Sequence, residues 1–120
     1  MIQGIGLDVV EMDRIKKNMD KSSRLAERVL TDKEKAMFQQ LPKTRQAEFL
    51  AGRFAAKEAF AKAAGTGIGT ISFQDIEILP NENGAPVIEV SGYDASRIFV
   101  SITHSRDCAA AQVIIERINN

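Results

Sequence analysis

"GRFAAKEAFAKAAGTGIG", residues 52–69, is an alanine-rich helix that runs into a glycine-studded turn, and it carries Arg53, Lys57, Glu58 and Lys62 close to that flexible end. At about 100° per residue, Phe49, Ala56 and Phe60 fall within about 40° of one another and form a core stripe. Glu58 points nearly the opposite way, and Lys62 shares its face one turn later, as a solvated Glu–Lys pair would. Two details count against solvation alone. Leu50, Phe54 and Ala61 lie beside Glu58, so the second face is expected to be covered, by another subunit for instance, and a covered glutamate needs a cation or a metal. The turn also holds Gly65, Gly67 and Gly69, more glycine than a helix C-cap requires. Such a turn lets backbone approach a phosphate, but it is no Walker loop, since no strand precedes it and no Lys-Ser/Thr follows.

Upstream, the helix is expected from about Thr44 to Ala64, after Pro42 closes a shorter one. That shorter helix opens at "TDKE", residues 31–34, which matches a capping box of Thr31 and Glu34. "DRIKKNMDKSSRLAERVL", residues 13–30, is helical in two pieces broken near Asp20 to Ser23, with Ser22 or Ser23 as cap. "IQGIGLDVV", residues 2–10, alternates Ile5, Leu7 and Val9 against Asp8 and Val10, the pattern of a first strand with Asp8 opposite the apolar trio. Downstream, "ISFQDIEIL", "PVIEV", "IFVSITH" and "AAAQVIIERI" are β-rich runs separated by turn-forming segments, among them Asn83-Gly84, which suits a hairpin. A strand, several helices and then mostly strands is an α+β order without strand–helix alternation.

The 120 residues, 44% of them hydrophobic, suit one domain, residues 1–120. Zero net charge gives no global support to nucleic-acid or membrane binding. One local exception is the stretch from Arg14 to Arg28, where six basic residues face two acidic ones for a net +4. Cys108 is the only cysteine, which excludes an intrachain disulfide and suits a reducing compartment, and burial is expected for it. No basic-then-apolar leader and no apolar run of about 20 residues is present, so a cytoplasmic, soluble chain is expected. Asp8 and Glu58 are carboxylates on separate elements. One or two carboxylates completed by water and substrate phosphates is how Mg²⁺ is usually held, and the chemistry suggested is metal-assisted work on phosphate.

Two fixed-spacing signatures sharpen this. "GLDVVEMDR", residues 6–14, resembles the Gly-x-Asp-x5-Arg signature of the 4′-phosphopantetheinyl transferases, and "FAAKEAFAK", residues 54–62, resembles their Phe/Trp-x-x-Lys-Glu-Ala/Ser-x-x-Lys signature. "GTGIG", "NGAP" and "SITHS" are similar to later blocks of the short bacterial branch, the holo-acyl-carrier-protein synthases. The resemblance spans essentially the whole chain. It implies a long helix packed on an antiparallel-rich sheet, a homotrimer with sites between subunits, and transfer of the 4′-phosphopantetheine arm of coenzyme A to a serine of apo acyl carrier protein, releasing adenosine 3′,5′-bisphosphate. By the same resemblance Asp8 and Glu58 ligate Mg²⁺, with Mn²⁺ as a possible substitute. Glu58, or a water it orients, is the candidate base, and Lys62 steadies the departing bisphosphate. Arg45, Arg53, Lys57, Lys62, Gly65, Thr66, Asn83, Pro86 and His104 are implied contacts of coenzyme A, which is a substrate. The basic stretch gains a partner too, because acyl carrier proteins are acidic: Arg14, Lys21, Arg24 and Arg28 are the expected contacts, with Leu25 as apolar anchor if it is exposed. Ala61 departs from the family's frequent serine, which removes one hydroxyl from the phosphate site.

Two other classes use the same residues. A metal-dependent phosphohydrolase would consume coenzyme A or a nucleotide without a carrier protein, and a non-catalytic trimer would bind coenzyme A without turnover.

Overall fold

The computed structural model describes residues 1–118. Strand β1 (Ile2–Glu11) leads directly into helices α1 (Met12–Lys21), α2 (Arg24–Val29), α3 (Asp32–Gln40) and the long α4 (Lys43–Ala64). A 3-10 turn (Phe73–Asp75) then introduces β2 (Ile76–Pro80), β3 (Pro86–Val90), β4 (Ser96–His104) and β5 (Cys108–Arg117). The expected α+β fold is the observed one. β1, β5 and β4 form an antiparallel sheet in that order, and β2 and β3 form a separate hairpin.

The helix boundaries follow their local chemistry. Thr31 and Glu34 make the reciprocal capping box: Oγ1 of Thr31 accepts from the Glu34 amide at 3.3 Å, and Oε1 of Glu34 accepts from the Thr31 amide at 2.8 Å. At the α1–α2 break Ser22 Oγ accepts from the Arg24 amide, while Ser23 occupies the N-cap without a side-chain bond. Helix α4 ends at Gly65, whose φ of +77° is the left-handed geometry that glycine adopts without strain. The β2–β3 turn bends at Gly84 (φ +82°), and Asn81 Oδ1 accepts from the amides of Asn83 and Ala85.

Helix α4 lies on β1 more closely than side chains would allow. A Cβ built on Gly6 would sit 1.8 Å from the Ala59 carbonyl oxygen, and one on Gly4 would sit 1.9 Å from that of Ala63. Ala55 and Ala59 of α4 and Ala109 and Ala111 of β5, all small and buried, extend the core beside this seam. On its other side α4 packs against α1, α2 and α3. Phe49, Ala56 and Phe60 are buried as expected. Leu50 and Ala61 are buried as well, covered by elements of their own chain where a neighbouring subunit was expected to cover them.

Three further differences concern the strands. Phe73–Asp75 of the expected strand from Ile71 form the 3-10 turn instead, because Ser72 and Asp75 make their own capping box, and Ile71 makes only an isolated bridge with Ile68. Cys108 is half-buried, its sulfur 3.7 Å from Ser105 Oγ. The third bears on function. Asp8 and Val10 point toward α4, and the apolar trio points outward, with Ile5 58%, Leu7 58% and Val9 60% exposed. Pairing brings Ile5 beside Ile114 and Ile114 beside Phe99, itself 53% exposed, so the outer sheet face carries a continuous apolar patch.

Candidate active site

Turning the glycine side of β1 toward α4 brings Asp8 under the last turns of that helix. Lys62 reaches back across the seam, and its ammonium donates to Asp8 Oδ1 at 3.0 Å and to the Leu7 carbonyl at 3.1 Å. The Asp8 side chain keeps only 16% of its exposure, whereas Lys62 keeps 55%. Glu58, one turn before Lys62, is half-buried beside them. Loss of water pushes the Glu58 carboxyl up from its ordinary value, and the negative charge of Asp8 pushes in the same direction. Lys62, Arg28 and Arg14 oppose the rise. Two carboxylates that repel one another over a seam of low exposure are what a divalent cation relieves, so the residues present fit one. Among the described residues no third potential ligand of the His, Cys, Asp or Glu type joins them, so such an ion would take its other positions from water or a ligand's oxygens.

From Glu58 a groove of about 270 Å³ opens between α1, α2, α4 and the 3-10 turn. Arg14, Leu25, Arg28, Phe54 and Phe73 line it together with Glu58. Arg28 lies 5.7 Å over the Phe73 ring, and Phe73 in turn packs 5.8 Å from Phe54. Leu25 is half-buried in this wall, with Arg24 and Lys21 exposed on the same basic stretch. Phe54 opens the second signature, whereas Phe73 is a wall residue to which no motif points.

Lys57 does not face a ligand. It is fully buried, and all three of its ammonium hydrogens are engaged: by Glu34 Oε1 at 2.6 Å, by the Val29 carbonyl at 2.6 Å and by the Phe73 carbonyl at 3.1 Å. Burial pulls its pKa down, and the Glu34 carboxylate works against that pull. Glu34 is equally buried and also accepts from the amides of Thr31 and Ile78. The expected contact of Lys57 with coenzyme A is therefore replaced by a structural role at the meeting point of α2, α3, α4 and the 3-10 turn.

The other expected coenzyme A residues divide into two groups. Gly65 and Thr66 follow Lys62 at the exposed end of α4, next to the carboxylate pair. Arg45, Arg53 and His104 gather around the opposite half of the helix. His104 Nδ1 lies 3.5 Å from Glu48, and Arg45 lies 4.0 Å from the same glutamate. Arg53 is half-buried, stacks 4.1 Å from the Phe49 ring and donates to the Ile78 carbonyl at 3.2 Å, which anchors the hairpin that carries Asn83 and Pro86. Burial lowers its pKa, partly offset by Glu34. Ten residues of helix separate Glu48 from Glu58, about 15 Å along the axis, so Arg45 and His104 stand well away from the Asp8–Lys62 pair, with Arg53 at the middle of the helix.

Residues 4–113 match the family described as the 4′-phosphopantetheinyl transferase superfamily. The chain belongs to that family. It is 58% identical over 119 residues to the holo-[acyl-carrier-protein] synthase of Geobacillus kaustophilus (strain HTA426), covering 98% of this chain and 92% of the relative. The structure is similar to the holo-(acyl-carrier-protein) synthase of Bacillus anthracis str. Ames in complex with CoA (3′,5′-ADP), with a TM-score of 0.90, 46% identity and 98% of both chains covered. It is likewise similar to the Helicobacter pylori enzyme in complex with coenzyme A, at a TM-score of 0.82, 33% identity, and 93% and 99% coverage. Both signatures of this transferase family fall on the cluster just described: Gly6 at the helix–strand seam, Asp8 and Glu58 as the facing carboxylates, Lys62 on Asp8, and Arg14 at the groove. Among the described residues no helix is long and apolar enough to cross a membrane.

Proposed function

We propose that this chain is a holo-acyl-carrier-protein synthase, which transfers 4′-phosphopantetheine from coenzyme A to a serine hydroxyl of apo acyl carrier protein in fatty acid biosynthesis and releases adenosine 3′,5′-bisphosphate. The observation that carries the reading is the shielded Asp8 carboxylate bridged by Lys62, with half-buried Glu58 one helical turn away at the inner end of a groove walled by arginine and aromatic side chains. Mg²⁺ held by Asp8 and Glu58 would supply charge neutralisation at the pyrophosphate as its bond breaks. Glu58, or a water that it orients, takes the serine proton at the inner end of the groove. Lys62 is mobile enough on its exposed stem to leave Asp8 and meet the charge that develops on the bisphosphate. Gly65 and Thr66 let backbone come close to the phosphates. Arg14, Lys21, Arg24 and Arg28, with Leu25 as the apolar contact, dock the acidic carrier so that its serine enters beside Glu58.

The distance between the two coenzyme A groups is explained by a homotrimer. The exposed Ile5, Leu7, Val9 and Phe99 face is buried in it, and Arg45, Arg53 and His104 of one subunit complete the site of the next, with Asn83 and Pro86 at the adenine end. Each subunit acts as one domain in the cytoplasm, without nucleic acid or membrane partners.

The test is intact-mass spectrometry of apo acyl carrier protein incubated with the chain, coenzyme A and Mg²⁺. A gain of about 340 Da that EDTA abolishes supports metal-dependent transfer. Coenzyme A consumption with no mass gain on any carrier would replace transfer by phosphohydrolysis, and binding without turnover would replace it by a binding trimer.

A further inference from the structure

Helix α2 has six residues and so cannot hold its own shape in water; tertiary contacts must fix it. Its C-terminal carbonyls are taken by two side chains from outside the helix. The Gln74 amide nitrogen donates to Leu30 O at 2.9 Å, to Arg28 O at 3.1 Å and more weakly to Glu27 O at 3.4 Å. Lys57 takes the remaining one, Val29 O, from the buried side. An ammonium is also the favourable charge at a helix C-terminus. The two clamping residues are themselves joined, because Lys57 also binds the carbonyl of Phe73, the residue before Gln74. Ser72 Oγ accepts from the Gln74 amide and so holds that residue at its place in the 3-10 turn.

Gln74 is exposed and lies outside the catalytic cluster, yet the carbonyls it grips belong to the turn of helix that carries Arg28. We propose that Gln74 is a positioning residue for the carrier protein: it clamps α2 from the solvent side, as Lys57 does from within, and so sets Arg28 and Leu25 at the mouth of the groove that leads to Glu58. This rests on the proposed docking of the carrier at that groove. Losing the clamp lets α2 pivot while α4, Asp8 and Glu58 stay in place, so carrier recognition suffers and chemistry on coenzyme A does not.

The test is steady-state kinetics of the full-length chain with Gln74→Met, a variant of similar length that lacks the donor. The carrier KM should rise about three- to tenfold, the worth of one to two lost hydrogen bonds, while kcat and the coenzyme A KM stay unchanged. In an Arg28→Ala, Leu25→Ala background the same change should have no further effect, because the residues through which it acts are gone. Amide exchange should speed up at residues 27–30 alone. Arg14→Glu serves as the reference. If Arg14→Glu raises the carrier KM and Gln74→Met does not, the clamp is refuted and docking stands; if neither raises it, docking fails and the clamp with it. A rise in carrier KM that persists undiminished in the Arg28→Ala, Leu25→Ala background, or is matched in coenzyme A KM, overturns the proposal as well.

Discussion

Lys57→Met removes a cation of nearly the same length from a site with no exposed surface. It leaves the Glu34 carboxylate buried without its counter-charge and strips Val29 O and Phe73 O of a donor. Breaking a buried pair in this way costs about 3–5 kcal/mol, a large share of the 5–15 kcal/mol that holds a typical domain together. Removing both charges often restores stability at buried pairs, but here it should not. Glu34 also accepts from the Thr31 and Ile78 amides, so Lys57→Met with Glu34→Leu would leave those two amides and the two carbonyls unpaired, each at about 1–3 kcal/mol. Urea unfolding followed by circular dichroism, at one fixed protein concentration, separates the cases. With a slope of about 1–3 kcal/mol per M, the single variant should lose at least about 1 M in midpoint, and the double variant should not recover it. A double variant with the wild-type midpoint would refute the argument, since it would mean that the pair is held by its two charges alone and that the surrounding backbone bonds contribute nothing.

Gly6→Ala places a methyl 1.8 Å from a backbone oxygen that no rotamer change can move, so it should lower the melting temperature and depress transfer by shifting α4 off Asp8; an unchanged melt would contradict the close seam. If the proposed trimer is right, light scattering should find the parent chain trimeric and Leu7→Glu, which puts a charge in the outer apolar patch, monomeric with unaltered far-ultraviolet dichroism. In the metal-free protein the Glu58 carboxyl, followed by carbon NMR, should titrate above its ordinary value of about 4.5, and lower in Asp8→Asn. Because the folded-state value exceeds the unfolded one, Glu58 contributes stability below about pH 4.5 that is lost as pH rises through the folded-state pKa; Glu58→Gln should abolish that loss, read as urea midpoints on either side of the window, and should abolish metal-dependent transfer.

The alternation in "IQGIGLDVV" is legible as a strand with Asp8 opposite Ile5, Leu7 and Val9, but alternation does not say which face turns inward. The missing signal was glycine: Gly4 and Gly6 share the Asp8 side, and small residues there admit a helix. The position of Lys57 had a readable trace as well. Leu50, Phe54, Phe60 and Ala61, its neighbours at i−7, i−3, i+3 and i+4, are all apolar, which marks a buried stripe. Its partner, 23 residues earlier in the chain, was legible only as half of a capping box, since a carboxylate that caps a helix usually has no second task. Hydrophobic period two fits Ile71 and Phe73 as well as a strand would, so only the capping-box spacing of Ser72 and Asp75 marks the 3-10 turn in the sequence. The proposed joining of Arg45 and His104 to Asp8 across subunits has no trace in the periodicity of one chain, because both lie toward the other end of α4 from Glu58 and Lys62.

Adjacent charges on a helix diverge by about 100°, and Lys57 and Glu58 use that divergence. The lysine faces the junction of α2, α3 and the 3-10 turn, where its direction is fixed by three acceptors; the glutamate faces the groove, where water and charge are available. Since the two side chains share one turn of backbone, the rotation of α4 that satisfies Lys57 also turns Glu58 to the groove. The buried partner is costly to maintain, and what it returns is orientation: the helix that carries Glu58 is set by hydrogen bonds that point away from the groove, so no ligand has to order it. That is a physical reason for lysine and glutamate to stand side by side in the second signature, one inside and one out.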